Sequence, residues 1–270
     1  MSQPPVSFVK RVLVYLLTLV LLGSLCLSFP APAQAGGSWL DYIGRQIALR
    51  FNPPRGPSPN RRSGGFGRGD TCLVDIDLPL TALAIEPLYK QTKENPPVGR
   101  LNYVGGETTE ASPTLWFYTP YTRSQGEGFA RFMLLDEFNK PVFENPIKLF
   151  LPESPGIISV SLPQQHSLLV EKPYFWYFSV ICNLDRPSRN PSVNGWIRRV
   201  PSEPGQEPGK PDESNLAWYD LLNTLASARR QSPSKIDSQR YWDLLMRSNK
   251  GLEKLAQKEI SRCCVIENGV

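Results

Sequence analysis

Aromatic and apolar side chains form a nearly continuous run in residues 172–182, which read KPYFWYFSVIC. In an extended chain Trp176 and Phe178 fall on one face, whereas Tyr177 falls on the other. Because both faces are largely apolar, this pattern predicts a central, buried strand. Residues 113–118, PTLWFY, repeat its opening. We therefore expect these two strands to form the middle of a core built from sheets.

Other short apolar runs follow the same period and are separated by turns rich in Pro, Gly and Asn. Turns spaced roughly 8 to 14 residues apart are typical of packed antiparallel sheets. The pattern predicts a mainly β domain over residues 70–200, an antiparallel β-sandwich that is immunoglobulin-like in general architecture. Residues 89–112 are interpreted as a long polar excursion around one weak strand. The other predicted strands lie within residues 73–85, 129–136, 142–150, 157–162 and 193–200.

The period becomes helical after a Pro-rich hinge at residues 201–213. Apolar positions then predict a helical tail over residues 214–262, with three short helices, and a C-terminal end at 263–270. Ser214 is the expected N-cap of the first helix, and Pro233 is its stop. Helices this short are marginal on their own. The tail therefore either docks on the sheets or forms a separable contact surface.

The first 35 residues have the pattern of a secretory signal peptide. A basic start precedes a long apolar run, and Ala33 and Ala35 satisfy the small-residue rule of signal peptidase, so we expect cleavage after Ala35. The competing interpretation is a retained anchor, because the run approaches the roughly 18 to 20 residues that span a bilayer. The signal predicts export to the periplasm or extracellular space, with membrane contact only through this segment if it stays uncleaved.

Residues 36–69 contain a short amphipathic piece followed by a linker rich in Pro, Gly and Arg. Such a composition buries little, so a solvated linker is favoured over a basic strap on anionic lipid or wall polymer. The net charge of +5 falls to +3 once Lys10 and Arg11 leave with the signal. A balance this close to neutral predicts no nucleic-acid partner.

Four cysteines beyond the signal are disulfide candidates: Cys72, Cys182, Cys263 and Cys264. A bridge between Cys72 and Cys182 would tie the first strand to the end of the central strand, and two buried free thiols are the alternative. The adjacent Cys263 and Cys264 suit one further internal or intermolecular bridge better than a redox switch. His166 lies in a predicted turn, and nothing in the sequence places it beside a cysteine as a base.

The acidic residues and the known catalytic sequence motifs give little support for an enzymatic function. Asp136 and Glu137 follow a predicted strand and would point to opposite faces, so a hairpin end explains them better than a paired acid and base. The cysteines and the histidine lack the spacing of a zinc site. Nucleophile-elbow, phosphate-loop and dinucleotide signatures are missing. We therefore expect no catalytic residues, no metal and no cofactor.

Aromatic residues are the best candidates for a binding surface. Tyr121 is expected to be exposed, beside Arg123. In the tail, Trp218, Tyr241 and Trp242 lie among arginines, a mixture that suits a protein contact. Docking of the tail on its own sheets explains the same aromatic residues and is favoured.

Several segments together resemble one known family, described as domain of unknown function 928 and largely cyanobacterial. The resemblance covers nearly the whole mature chain, although the loop between residues 83 and 112 is longer here. It implies an exported, β-rich envelope domain and brings no established activity. The segments that carry it are the Gly-rich lead into Cys72, 80–83, 113–121, 132–137, 155–163, 176–182, 195–200 and 218–222.

Three functional hypotheses follow from these patterns. The first is a non-catalytic envelope protein that binds or organises a partner, either an envelope protein or a glycan. The second is a carbohydrate-active or wall-modifying enzyme that uses carboxylates. The third is a disulfide-linked structural component of the envelope.

Overall fold

The computed structural model describes residues 62–64, 72, 77–85, 104–202, 204–205, 209 and 217–261, and the backbone of a strand at Ile266–Glu267. The predicted signal peptide with its cleavage after Ala35, the amphipathic piece and the predicted N-cap Ser214 lie outside the described residues. Cys263 and Cys264 lie outside them as well, so their pairing stays a prediction.

Within these ranges the protein is mainly β, with two sheets and two helices near the C-terminus. The strands are β1 Thr81–Ala82, β2 Gly105–Thr108, β3 Thr114–Thr119, β4 Phe129–Leu135, β5 Ile147–Phe150, β6 Gly156–Ser161, β7 Pro173–Ile181, β8 Ser192–Arg199 and β9 Ile266–Glu267. The helices are α1 Trp218–Gln231 and α2 Ile236–Arg247. The larger sheet has the order β2-β8-β7-β4-β5-β9, and the smaller sheet has the order β1-β3-β6.

Both aromatic strands lie in the middle of a sheet, as predicted. Strand β7 pairs with β4 and β8, and β3 pairs with β1 and β6. The two strands belong to different sheets and meet across the core, where the Phe117 ring stacks on the Phe178 ring with centroids 4.3 Å apart. Trp176 is also buried there and meets the Phe117 ring edge-on at 5.6 Å. The aromatic residues thus form the contact between the sheets.

The prediction that β7 is buried on both faces is wrong for one face. Trp176, Phe178 and Val180 lie in the core, but Tyr177 on the opposite face is 37% exposed. The six-stranded sheet covers the core with one side only, and the phenol of tyrosine tolerates water on the other. An apolar pattern alone does not distinguish these two environments.

The prediction that all strands pair in antiparallel fashion is also wrong. Strand β2 lies in the stretch interpreted as a polar excursion around one weak strand, and it pairs with β8 in parallel. Its Gly105 packs so closely on Trp196 that an added Cβ would lie 2.4 Å from the Trp196 carbonyl oxygen. The Gly-Gly pair therefore marks close packing of strands rather than a turn. The finer prediction of an immunoglobulin-like arrangement stays a prediction.

Part of the stretch predicted as a solvated linker is packed. Arg62 is buried and its guanidinium donates to the carbonyl of Ala84, at 2.8 Å from Nε, and to the carbonyl of Lys250. Gly64 donates its backbone N–H to Leu80 at 2.7 Å. Burial of the Arg62 guanidinium is tolerated because backbone carbonyl oxygens accept hydrogen bonds from its N–H groups.

The helical tail docks on the sheets, the favoured of its two interpretations. Trp218 of α1 is 1% exposed and donates its indole N–H to the Leu83 carbonyl at 3.0 Å. Trp242 of α2 is 0% exposed and donates to the Ala256 carbonyl at 3.1 Å. A single 3-10 turn, Glu253–Leu255, stands where the third helix was predicted. Trp218 and Trp242 are therefore excluded from an exposed binding surface.

The prediction that Tyr121 is exposed is wrong, because its side chain is only 3% exposed. Its backbone N–H donates to the Thr119 hydroxyl at 3.1 Å, which holds the chain close to the end of β3. The loop beyond it returns to β7, where the Glu127 N–H donates to the Ile181 carbonyl at 3.0 Å, and the Tyr121 ring is enclosed. Arg123 is exposed as expected, and Tyr241 is half-buried.

The Cys72–Cys182 disulfide is present, with Cα atoms 5.3 Å apart and a sequence separation of 110 residues. It joins the segment before β1 to the residue that follows β7, which is the connection predicted from the sequence. Both cysteines are buried. The bridge therefore fixes one end of the central strand.

Candidate functional site

The candidate site lies on the outer face of the six-stranded sheet, where β4 and β7 run side by side. Alternation turns Arg131 and Met133 of β4 outward, opposite Ser179 and Tyr177 of β7. Tyr177 faces Asn194 of β8 on its other side. The same strands that bury the aromatic core therefore present a row of partly or fully exposed side chains on their other face.

A groove of about 230 Å³ opens on this face. Its polar lining comes from Arg131, Tyr177, Ser179 and Asn190, and its apolar lining includes Met133 and Leu184. No Asp or Glu is among the described residues that line it. The groove is consequently rich in hydrogen-bond donors beside an apolar surface, an arrangement common in ligand sites.

The wall of the groove is held by hydrogen bonds in the loop between β7 and β8. The Asn190 side-chain oxygen accepts from the backbone N–H groups of Cys182 and Asn183, both at 3.0 Å. Asn183 in turn accepts from the N–H groups of Asp185 at 2.8 Å and Arg186 at 3.1 Å. With Cys182 also fixed by its disulfide, the loop that carries Leu184 is shaped before any ligand arrives.

Two cations stand side by side at the groove edge. Arg131 of β4 lies directly opposite Lys148 of β5, and both lie over the Phe129 ring, at 5.5 and 4.8 Å from its centroid. In the described part of the chain, Arg131 forms no ion pair with a carboxylate. Like charges placed opposite each other on a sheet repel. Lys148 is also in register with Glu267 of β9, so Arg131 is the cation that an anion at this edge would contact.

Arg123, a predicted surface residue, lies close to this region without lining the groove. Its guanidinium sits over the Phe150 ring at 5.2 Å and approaches Glu153 at 3.7 Å. Tyr241, the other predicted residue that keeps some exposure, lies on α2 instead. The structure therefore does not bring Tyr121, Arg123, Trp218, Tyr241 and Trp242 together as one binding surface.

A buried carboxylate that the sequence analysis missed joins α1 to the end of β2. Asp220 is 2% exposed and accepts hydrogen bonds from the Thr109 N–H at 2.8 Å, the Thr109 hydroxyl at 2.6 Å and the Thr108 hydroxyl. Burial raises the pKa of Asp220 although these hydrogen bonds oppose the shift. Burial, together with the nearby Asp220 charge, also raises the pKa of Glu110. The arrangement is a structural tie between the tail and the sheet.

We predict that Asp220→Ala lowers the free energy of unfolding by about 2 to 4 kcal/mol, because three buried donors lose their acceptor.

Because the folded-state pKa values of Asp220 and Glu110 are raised, the folded state binds protons more tightly than the unfolded state. The free energy of unfolding should therefore fall as the pH rises from the ordinary carboxyl pKa to those raised values. The stabilisation that the two carboxyls contribute should be complete below the ordinary carboxyl pKa.

Asp220→Asn is the matched control, since it keeps the shape but removes the charge. It should cost less than the alanine variant and flatten the pH dependence of the midpoint in urea unfolding. A stability profile of the wild type that rises with pH across the same interval would contradict this account of the carboxyl pair.

The residues first considered for catalysis have structural roles. Asp136 accepts from the backbone N–H groups of Phe138 at 2.8 Å and Lys140 at 2.9 Å, as expected for a hairpin end. Glu137 forms an ion pair with Lys172. Cys182 is held in the disulfide, so it offers no thiolate for His166.

Two further features, a metal cluster and a membrane-spanning helix, are absent from the described ranges. Those residues contain no cluster of three or more His, Cys, Asp or Glu side chains that could hold a metal ion. Among the helices formed by the same residues, none has both the length and the apolar character needed to span a membrane.

Comparison with known proteins gives a family without an assigned activity. The family described as Domain of Unknown Function (DUF928) matches residues 63–260, which include both sheets' central strands and both helices. No curated protein and no solved structure matches the chain.

Proposed function

The chain belongs to the DUF928 family, and from that premise we propose that it is an exported, non-catalytic binding module of the cell envelope. In this proposal the two facing sheets form a sandwich, immunoglobulin-like in general architecture, that serves as a rigid scaffold. The stacking of Phe117 on Phe178 supports such a scaffold. Export rests on the signal pattern of residues 1–35.

The observation that carries the proposal is the preformed groove on the outer sheet face. Its floor comes from strands β4 and β7, whose other face is locked in the core, and its wall comes from the loop between β7 and β8. Sites built on strands are held more rigidly than sites on free loops. The partner is a component of the envelope, either a glycan or a protein, that contacts Tyr177 and its neighbours.

Substitution of Tyr177 tests this proposal. We expect Tyr177→Ala to weaken capture of the purified protein on an isolated envelope fraction by about 3- to 10-fold, since an exposed ring is lost. Tyr177→Phe keeps the ring and should retain most of the binding. Sedimentation of the protein with the fraction provides the measurement, and circular dichroism checks the fold. Equal capture of wild type and Tyr177→Ala would contradict the proposal.

The alternative function, a carbohydrate-active or wall-modifying enzyme, would draw on Glu110 and Asp220. A raised carboxyl pKa is what a general acid needs, and these two carboxyls have it. Asp220, however, is enclosed and already accepts three hydrogen bonds from its own chain. Release of soluble sugars from the envelope fraction, lost on Asp220→Asn, would favour this alternative. The third hypothesis, a disulfide-linked structural component, depends on Cys263 and Cys264 and stays a prediction.

A further inference from the structure

We infer that the groove binds a carboxylate-bearing sugar unit of an acidic polysaccharide. The inference rests on the proposed function, because it assigns a ligand class to the same groove. The unit would place its carboxylate against Arg131 and the apolar side of its ring against Tyr177.

The charge of the groove selects an anion. Arg131 offers the five N–H donors of a planar guanidinium, and Lys148 lies directly opposite it on β5. The described lining contains no carboxylate that could neutralise Arg131. A carboxylate matches the fork of a guanidinium and can accept two parallel hydrogen bonds from it. The hydroxyl of Ser179, paired with Arg131 across the strands, adds a further polar group at the same edge.

The remaining lining suits a sugar ring. Tyr177 is partly exposed, and Met133 and Leu184 supply apolar surface beside it. A pyranose ring has an apolar face and a polar rim, so it can contact both kinds of surface at once. The volume of about 230 Å³ lies below the roughly 300 to 1,000 Å³ of sites for drug-sized ligands. The groove therefore fits about one ring at a time, as expected for reading single units along a polymer.

Strand pairing disfavours an extended peptide as the ligand. Peptides that add to a sheet need an unpaired strand edge with free backbone groups. Strand β4 is paired with β5 and β7, and β7 is paired with β4 and β8. The strands of the groove thus offer side chains only. It can recognise the charge and shape of a ligand, but it cannot extend the sheet.

The test uses the mature protein and two polymers that differ only in the carboxyl group, namely polygalacturonate and carboxyl-reduced polygalacturonate. We expect the wild type to bind polygalacturonate and to bind the reduced polymer much more weakly, with binding that declines as salt rises. Arg131→Gln should weaken binding of polygalacturonate by about 10- to 100-fold. Arg240→Gln, which removes an equal charge from the exposed surface of α2, should leave binding unchanged. Affinity electrophoresis at two salt concentrations measures all of these.

The other outcomes separate this inference from the proposed function. Equal binding of both polymers, with loss on Tyr177→Ala but not on Arg131→Gln, would overturn the acidic ligand and leave the glycan-binding module standing. Tighter binding of dextran sulfate or polyglutamate than of polygalacturonate would overturn the carboxylated sugar in favour of a sulfated glycan or an acidic protein. If no polymer binds while Tyr177→Ala still reduces capture on the envelope fraction, the inference fails and the proposed function survives. If neither effect is seen, both fail.

Discussion

Replacing Cys72 and Cys182 together by serine is expected to lower the free energy of unfolding by about 3 to 5 kcal/mol, because the bridge closes a very long loop in the unfolded chain. The loop spans 110 residues and includes the central strands of both sheets. The measurement is urea unfolding of the double variant beside the wild type, each with and without reductant. Reductant should shift the wild-type midpoint to that of the variant.

Cys263→Ser and Cys264→Ser form the matched control, since they remove thiols without touching the Cys72–Cys182 bridge. In that background the effect of reductant should persist at full size. A reductant effect that disappears with Cys263 and Cys264 would contradict the assignment of the stabilising bridge. The Cys72 and Cys182 substitutions should also loosen the loop after β7 and so weaken binding in the groove.

Trp218→Ala should lower the free energy of unfolding by about 3 to 5 kcal/mol, since it removes a fully buried ring and leaves a cavity between α1 and β2. Its Cβ and ring are packed close to Gly106, where an added Cβ would lie 3.0 Å from them. The indole N–H also satisfies the Leu83 carbonyl. Thermal unfolding followed by far-ultraviolet circular dichroism measures the loss, and it should remain one cooperative transition.

Trp218→Phe serves as the conservative comparison, because it keeps most of the ring volume and loses only the indole hydrogen bond. It should cost about 1 to 2 kcal/mol. Ile236→Ala, at a residue that is 82% exposed, should have little effect. If the helices of Trp218→Ala unfold in a separate transition while the unfolding of the sheets is unchanged, the tail is an independent unit. Its docking then does not contribute to the stability of the fold.

The sequence predicted the centre of the fold because its signals are local there. Alternating aromatic residues identified β7 and β3, and the positions of Cys72 and Cys182 relative to those strands suggested their bridge. Strand β2 was predicted only as one weak strand somewhere within residues 89–112, since its Gly-Gly pair has no alternation to read. Its two glycines are there to admit Trp196 and Trp218, which come from distant parts of the chain.

The candidate site was harder to predict, because it depends on which side of each strand stays open. Tyr121 and Tyr177 are equally aromatic in sequence, yet one is enclosed and the other lines the groove. The Asp220 tie likewise depends on contacts more than 100 residues apart. Only the pairing of Arg131 with Ser179 and Lys148 across neighbouring strands reveals a cationic edge.

The central claim is that the outer face of the six-stranded sheet holds an envelope partner, and site-specific photo-crosslinking in cells tests it most directly. A photoreactive phenylalanine would be placed at position 177 in the groove or at position 236, the exposed start of α2. We predict an adduct with an envelope component from position 177 that is absent from position 236 and is reduced by Arg131→Gln. Adducts of equal yield from both positions, or from position 236 alone, would contradict the account.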